Sequence, residues 1–327
     1  MENISCRLCG SGSAVAILTG KDRDWGSGDV FTVVRCGACG LAYVNPRPRA
    51  EEMLKYYPEE NWCRARARGP EKDADINGAH WTVAAAERAA PILALGAGGS
   101  VLDVGCGDGF LLLYLSRRGW TCSGVEPGAV AAAYARDVLG LNVRTGKLEE
   151  ARYPDASFDV VNFHHVFEHL REPSETLAAA SRVLKAGGAL VVSVPNFASL
   201  DRRLFGDKWV GLKLPQHLFH YTAPTLRAML EKSGFESRSV GYRSYEGRNT
   251  MYYSESLRHL LQDLGAYPQK EFPGAPAGPA AAPARGAGWK AALHLLERAA
   301  FKGVGTVADL LGMGSEMTMV ARKGRNA

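Results

Sequence analysis

The chain has 327 residues, a formal net charge of +5 and 46% hydrophobic residues, enough to build one large domain with an appendage. No apolar run approaches the roughly 18 residues of a membrane span, and the opening Met-Glu-Asn-Ile-Ser carries no secretory pattern, so a cytoplasmic protein is expected. The charge is too modest to point to nucleic acid, and seven cysteines, with four of them in metal-type pairs, argue against a disulfide framework.

The first of those pairs is Cys6-Arg-Leu-Cys9-Gly10 and the second is Cys36-Gly-Ala-Cys39-Gly40. Soft thiolates at this spacing wrap a tetrahedral Zn²⁺, and the trailing glycines permit the tight turns that bring two sulfurs to one ion. The stretch between them includes the strand-like Asp29–Arg35, as in a zinc ribbon, here read as residues 1–48. A redox dithiol is the alternative for a single C-x-x-C, and two matching pairs favour zinc. Four thiolates leave no open coordination position, so the zinc is expected to be structural.

Asn45-Pro-Arg-Pro48 stiffens the exit from the ribbon, and a short helix is expected at Glu51–Tyr57. Residues 58–80 are less regular. There Arg64, Arg66 and Arg68 alternate along an extended segment, a solvated face more readily than an anion contact. Tyr56, Tyr57, Trp62 and Trp81 read as packing residues. A helix at His80–Leu95 completes a connector or lid over residues 49–98.

Val101-Leu-Asp-Val-Gly-Cys-Gly-Asp-Gly-Phe110 is the most informative stretch of the chain. A buried strand ends near Asp103, and Gly105, Gly107 and Gly109 form a tight turn into an apolar helix. A Cβ there would block a ligand from lying against the backbone, and the helix N-terminus leaves amide donors free. A dinucleotide fingerprint would want a small residue at position 110, where Phe110 stands. The next strand, Thr121–Val125, leads to Glu126, about 20 residues after the first glycine, where a carboxylate meets a ribose diol. Further strands are expected at Leu141–Thr145, Phe158–Phe163 and Ala189–Val194, with helices at Phe110–Arg118, Ala129–Leu139 and Glu175–Leu184, the last stopped by Lys185–Gly188. That alternation is a doubly wound parallel sheet. Gly105, Glu126, His164 and Asn196 each follow a strand directly, so they converge on the edge where such sheets bind ligands.

With Asp103 before it, the G-x-G-x-G turn resembles the first motif of class I S-adenosylmethionine-dependent methyltransferases. Asp155–Val161, Phe167–Leu170, Leu184–Asn196, Pro215–Thr222 and Leu230–Phe235 resemble the later motifs. The closest similarity is to a subgroup with an N-terminal zinc ribbon, associated with sugar or surface-polysaccharide modification. It covers nearly the whole chain except the Ala/Pro/Gly-rich residues 265–288, which read as a flexible insert. The resemblance implies a Rossmann-like, mostly parallel seven-stranded sheet over residues 99–327. Beyond the insert come a helix at Trp289–Phe301 and a last strand at Ser315–Arg322, in this family the antiparallel strand inserted near the sheet edge.

By the same resemblance, Gly105, Gly107 and Gly109 pass beneath the methionine part of S-adenosylmethionine, Asp103 faces its ammonium, and Glu126 takes the ribose hydroxyls. His164 and the Gly146–Glu149 loop complete the cofactor set, with Leu148 and Glu149 toward the adenine and Lys147 where the family often has Asp. Histidine suits a base because its pKa lies near working pH, and the candidates are His217, His220 and His165, with His164, His169 and Tyr221 behind them. His217 leads, because the related Pro-x-His segment of the family faces the acceptor; Gln216 stands where Arg is frequent. The helix Ala223–Ser233, opened by Thr222 and Pro224 and closed by Gly234, anchors that segment. His165-x-x-Glu168-His169 resembles the Glu-x-x-Glu-His with which some class I O-methyltransferases hold a divalent ion, His165 replacing the first Glu.

The expected function is methyl transfer from S-adenosylmethionine to a small-molecule acceptor, a sugar or sugar nucleotide. One alternative is an RNA or protein methyltransferase using the ribbon to bind substrate, but no basic face interleaved with aromatics supports RNA. The other is a non-catalytic S-adenosylmethionine-binding module, which the histidines of the acceptor loop argue against.

Overall fold

The computed structural model describes residues 1–24, 27–57, 79–244, 251–267, 301 and 303–324. Trp62, the Arg64–Arg68 run, residues 268–288 of the Ala/Pro/Gly-rich stretch and the 289–300 part of the helix read after it lie outside them.

Two sheets organise these residues. The larger takes β4 (Gly99–Val104), β5 (Trp120–Glu126), β6 (Asn142–Thr145), β7 (Phe158–His164), β8 (Leu184–Pro195), β10 (Phe235–Arg243) and β11 (Glu316–Lys323). Their order is β10-β11-β8-β7-β4-β5-β6. Only β11 runs against its neighbours, pairing antiparallel with both β8 and β10, as expected of the inserted strand. The sheet is thus the seven-stranded, mostly parallel one anticipated.

Helices cover both faces: α1 (Ala79–Leu93), α2 (Phe110–Ser116), the short α3 (Ala129–Ala133) and α4 (Pro173–Val183). Strand periodicity divides the core between them. Val101, Val160, Ala189 and Val191 pack with Ala89, Ile92, Leu112 and Leu115 on one side. Leu102, Val104, Val161, Phe163, Leu190 and Val192 pack on the other with Phe167, Leu177, Val183 and Met229. Two local expectations are corrected. The Ala129–Leu139 helix is α3 plus a wider π turn at Tyr134–Val138. Lys185–Gly188 already belongs to β8, where the β7 register shifts between Phe158 and Val160 and Gly187 has φ 70°; a strand bulge absorbs the glycines.

The smaller sheet has β1 (Ala14–Lys21), β2 (Val30–Cys36), β3 (Ala42–Val44) and β9 (Phe219–His220), in the order β1-β2-β3-β9. Its fourth strand comes from the histidine-bearing segment after β8. A 3₁₀ turn at Glu51–Tyr56 follows the ribbon. After β8 come α5 (Leu200–Phe205), α6 (Ala223–Lys232) and α7 (Met251–Asp263). Thr222 and Thr225 form a capping box at the start of α6, and Gly234 has the left-handed φ of 84° just past its end. Among the described residues no helix is long and apolar enough to cross a membrane.

Candidate functional site

The glycine turn sits at the C-terminal ends of β4 and β5. Its hydrogen bonds explain its shape: Gly105 N–H donates to Val125 O at 2.7 Å and Gly109 N–H to Cys106 O at 3.0 Å. Glu126 clamps the turn from the end of β5. One carboxyl oxygen accepts from Gly107 N at 2.9 Å and the other from Gly128 N at 2.7 Å. Burial raises the Glu126 pKa, and those two amides oppose it. Each oxygen keeps a further lone pair for a ligand hydroxyl. Asp103 is 4% exposed and accepts from Asn162 Nδ2 at 2.7 Å. Burial pushes its pKa up to about 7, against the pull of Asn162, so an incoming ammonium would favour the ionised form.

The three glycines differ in what they face. A Cβ on Gly105 would stand 2.4 Å from Val166 Cγ2 and one on Gly109 2.7 Å from Leu141 Cδ1, so the protein's own packing demands glycine at both. A Cβ on Gly107 would meet nothing within 4 Å. Gly107 therefore borders open space at the strand ends, where a ligand would lie. Leu148 is buried in the core, which leaves its backbone as the part available to a ligand. The exposed Glu149 bonds through its carboxyl to Thr176 Oγ1 on α4.

On the acceptor side, Glu168 joins two of the candidate histidines. It is 1% exposed; its Oε1 lies 3.2 Å from His165 Nδ1 and 3.8 Å from His217 Nε2. His165 Nε2 lies 2.8 Å from Glu316 Oε2, and Glu316 also accepts from Arg243 at 2.8 Å. Burial opposes a charged His165, but Glu316 and Glu168 outweigh it and raise the pKa to about 10. An imidazolium has no lone pair to accept a proton, so His165 drops out of the base candidates. His217 differs: burial, then His169 and Lys213, hold its pKa well below the ordinary value. Its Nδ1–H donates to Gly211 O at 2.8 Å, which leaves the Nε2 lone pair available. His169 Nδ1 lies 3.0 Å from Gln216 O and 2.6 Å from the Tyr57 hydroxyl, and its ring stands edge-on to His217 at 4.6 Å.

His220 is buried beside Phe197, and its pKa falls to about 3 through burial and Arg202. Burial also keeps His164 neutral and raises the Tyr221 phenol well above its usual range. Gln216, where Arg is frequent, is buried and donates to Tyr56 O at 2.6 Å.

Near the N-terminus the four cysteine sulfurs lie within 4.8 Å of one another, with Cys6–Cys39 and Cys9–Cys36 both at 3.5 Å. A tetrahedral zinc with bonds of about 2.3 Å has sulfur–sulfur edges of about 3.8 Å, so the donor set fits that ion. Each knuckle closes through glycine: Gly10 N donates to Cys6 O at 2.8 Å and Gly40 N to Cys36 O at 3.0 Å.

Asn162, Glu316, Arg243 and Tyr57 belong to the site without having been expected there. Asn162 had a signal, a polar residue within the apolar run Val160-Val-Asn-Phe163. Glu316 and Arg243 had none, because their partners are far away in sequence.

A family profile described as a methyltransferase domain matches residues 80–240. A protein of Mycolicibacterium smegmatis named as a probable S-adenosylmethionine-dependent methyltransferase is 36% identical over 148 residues, 43% of this chain and 53% of its own length. A ubiquinone biosynthesis O-methyltransferase of Hahella chejuensis is 36% identical over 105 residues, 30% of this chain and 44% of that protein. In both, the chain spans about half of the relative's length or less. A ubiquinone biosynthesis O-methyltransferase of Azoarcus sp. is 37% identical over 169 residues, 48% of this chain and 72% of the relative. Among solved structures, the [4+2]-cyclase SpnF superposes with a TM-score of 0.50 at 21% identity, covering 85% of this chain and 97% of that one. This last likeness concerns the fold alone.

Proposed function

Since the chain belongs to the S-adenosylmethionine-dependent methyltransferase family, we propose that it methylates a small-molecule acceptor. The single observation that carries this is the open face of Gly107, whose amide is held by Glu126, in the turn that follows Asp103. S-adenosylmethionine supplies a sulfonium-activated methyl group. Asp103 would meet its ammonium and Glu126 its ribose, with His164 and the Leu148 backbone along the same edge. His217 Nε2 would take the acceptor proton, while Gly211 O holds the ring tautomer. The names of the relatives support a hydroxyl acceptor; the sugar nucleotide implied by the ribbon-bearing resemblance is the finer reading. Incubation with methyl-labelled cofactor and a panel of catechols and sugar nucleotides tests both, and label on neither class would count against the reading.

His217→Asn should lower turnover by roughly 10²-fold with cofactor affinity unchanged. Because the His217 pKa is depressed below 6.5, the wild-type rate should stay level from neutral pH downward and fall only on an acidic limb below pH 6.5. The variant should lose that limb. Wild-type turnover in the variant would make His217 structural.

A divalent ion at Glu168, His169 and His217 is the second reading. Glu168 Oε2 favours it, being buried without a hydrogen-bond partner, and the three ligand atoms lie within 4.8 Å. His217 directs Nδ1 at a backbone carbonyl, the outer support that ligating histidines use. Turnover raised by added Mn²⁺ in the wild type and not in His169→Asn would support this reading over a simple base.

Cys6, Cys9, Cys36 and Cys39 would hold one structural zinc. Metal analysis should find about one Zn²⁺ per chain, and Cys36→Ser should lose it. Full zinc content in that variant would break the four-ligand assignment.

A further inference from the structure

The ribbon and the histidine segment share a sheet, which is more than an appended domain requires. β3 pairs with β9 through Ala42–His220 and Tyr43–Phe219. Val44 N–H donates to Leu218 O at 2.9 Å, and Leu218 N–H donates to Glu168 O at 2.9 Å. The backbone next to His217 is thus held from both sides, by the ribbon and by the residue that links His165 and His217. A two-residue strand has no stability of its own, so β9 takes its register from β3. β3 in turn leaves the second knuckle directly: Cys36 N–H donates to Leu41 O at 2.9 Å, one residue before the strand.

Side chains continue the connection. Tyr43 packs on Phe219 at 6.4 Å, Phe219 on Tyr221 at 6.1 Å and Tyr221 on Phe167 at 5.4 Å. The cofactor side is built otherwise. The bonds that shape it run among Asp103, Asn162, Gly105, Gly107, Val125, Glu126 and Gly128, none of which belongs to the ribbon.

From this division we infer that the four-cysteine ribbon is a positioning element of the acceptor side, holding the 217–221 segment in place only while its metal is bound. Cofactor binding is independent of that metal. The inference rests on the zinc reading above, because metal binding and ribbon folding are coupled. With the metal gone, the knuckles lose the constraint that aims β3, and β9 loses its sheet neighbour.

Hydrogen exchange followed by mass spectrometry on the full chain tests this, before and after zinc is stripped by a chelator under reducing conditions. Calorimetry with S-adenosylhomocysteine runs in parallel. Exchange in peptides covering 42–44 and 217–221 should rise by about tenfold or more, while the Kd changes by less than about threefold. Zinc added back should restore protection, and Cys9→Ser should mimic removal. Protection of 217–221 that survives zinc loss would overturn the inference, as would cofactor affinity lost in step with it. A chain that never contains zinc would instead overturn the zinc reading itself, and the inference with it; metal analysis of the starting material separates these failures.

Discussion

Replacing His165 with asparagine should destabilise the protein by about 3–5 kcal/mol, the usual consequence of breaking a buried ion pair from one side. His165 lies between Glu168 at 3.2 Å and Glu316 at 2.8 Å. Those acids are 1% and 4% exposed. Without the imidazolium Glu316 keeps its bond to Arg243, which also pairs with Glu87 at 3.7 Å, while Glu168 loses the imidazole 3.2 Å from its carboxyl. Asparagine is the appropriate replacement because His165 has φ 53°, a left-handed conformation that Asn adopts more readily than other non-glycine residues. Backbone strain then contributes little to the loss. The pH dependence has a definite sign. The His165 pKa is raised to about 10, so its stabilisation is fully present below about 6.5, its unfolded value, and is lost as pH rises through 10. Burial works against the ionised Glu316, but His165 and Arg243 hold its pKa far below the ordinary 4.5. Its share is present above that value and lost in acid. Denaturant midpoints across pH should show both flanks in the wild type, with the alkaline one flattened in the variant. A wild-type midpoint in His165→Asn would mean that these ion pairs do not form in solution.

Gly107→Val should weaken S-adenosylmethionine binding by more than about 100-fold, close to 3 kcal/mol, while the protein stays folded. The side chain would enter space that the protein leaves open, since a Cβ there meets nothing within 4 Å. Its cost to the fold is confined to the backbone, whose φ of 54° costs an L-residue about 1–2 kcal/mol. Gly105→Ala makes the opposite control, because its Cβ would strike Val166 at 2.4 Å and disturb folding before binding. Circular dichroism and calorimetry on both variants separate the two effects. Unchanged affinity in Gly107→Val would place the cofactor elsewhere.

The parts of the molecule that could be read from sequence are those whose cause is local. Short, nearly continuous apolar runs gave β4, β5, β7 and β8, as strands covered on both faces read; the glycine spacing marked the turn, and the cysteine spacing marked the knuckles. β10 was missed because Phe235-Glu-Ser-Arg-Ser-Val-Gly-Tyr-Arg243 is half polar, as a mostly uncovered edge strand can be. β9 has two residues and exists only through β3, far away in the chain; no local pattern announces such a pairing. The same distance hid the state of His165. A histidine beside a glutamate three residues on could be a base, and Glu316, 151 residues away, adds the second carboxylate that favours its charged form. Glu149 was assigned by loop position, and its bond to Thr176, 27 residues on, is another contact that the loop itself does not announce.

Titration of the wild-type chain with S-adenosylmethionine, and separately with NAD, by calorimetry is the most direct test of the cofactor assignment on which the functional reading stands. The expected result is saturable binding of about one S-adenosylmethionine per chain, at the Gly105–Gly109 turn, with no heat from NAD. Saturable NAD binding without S-adenosylmethionine binding would contradict it.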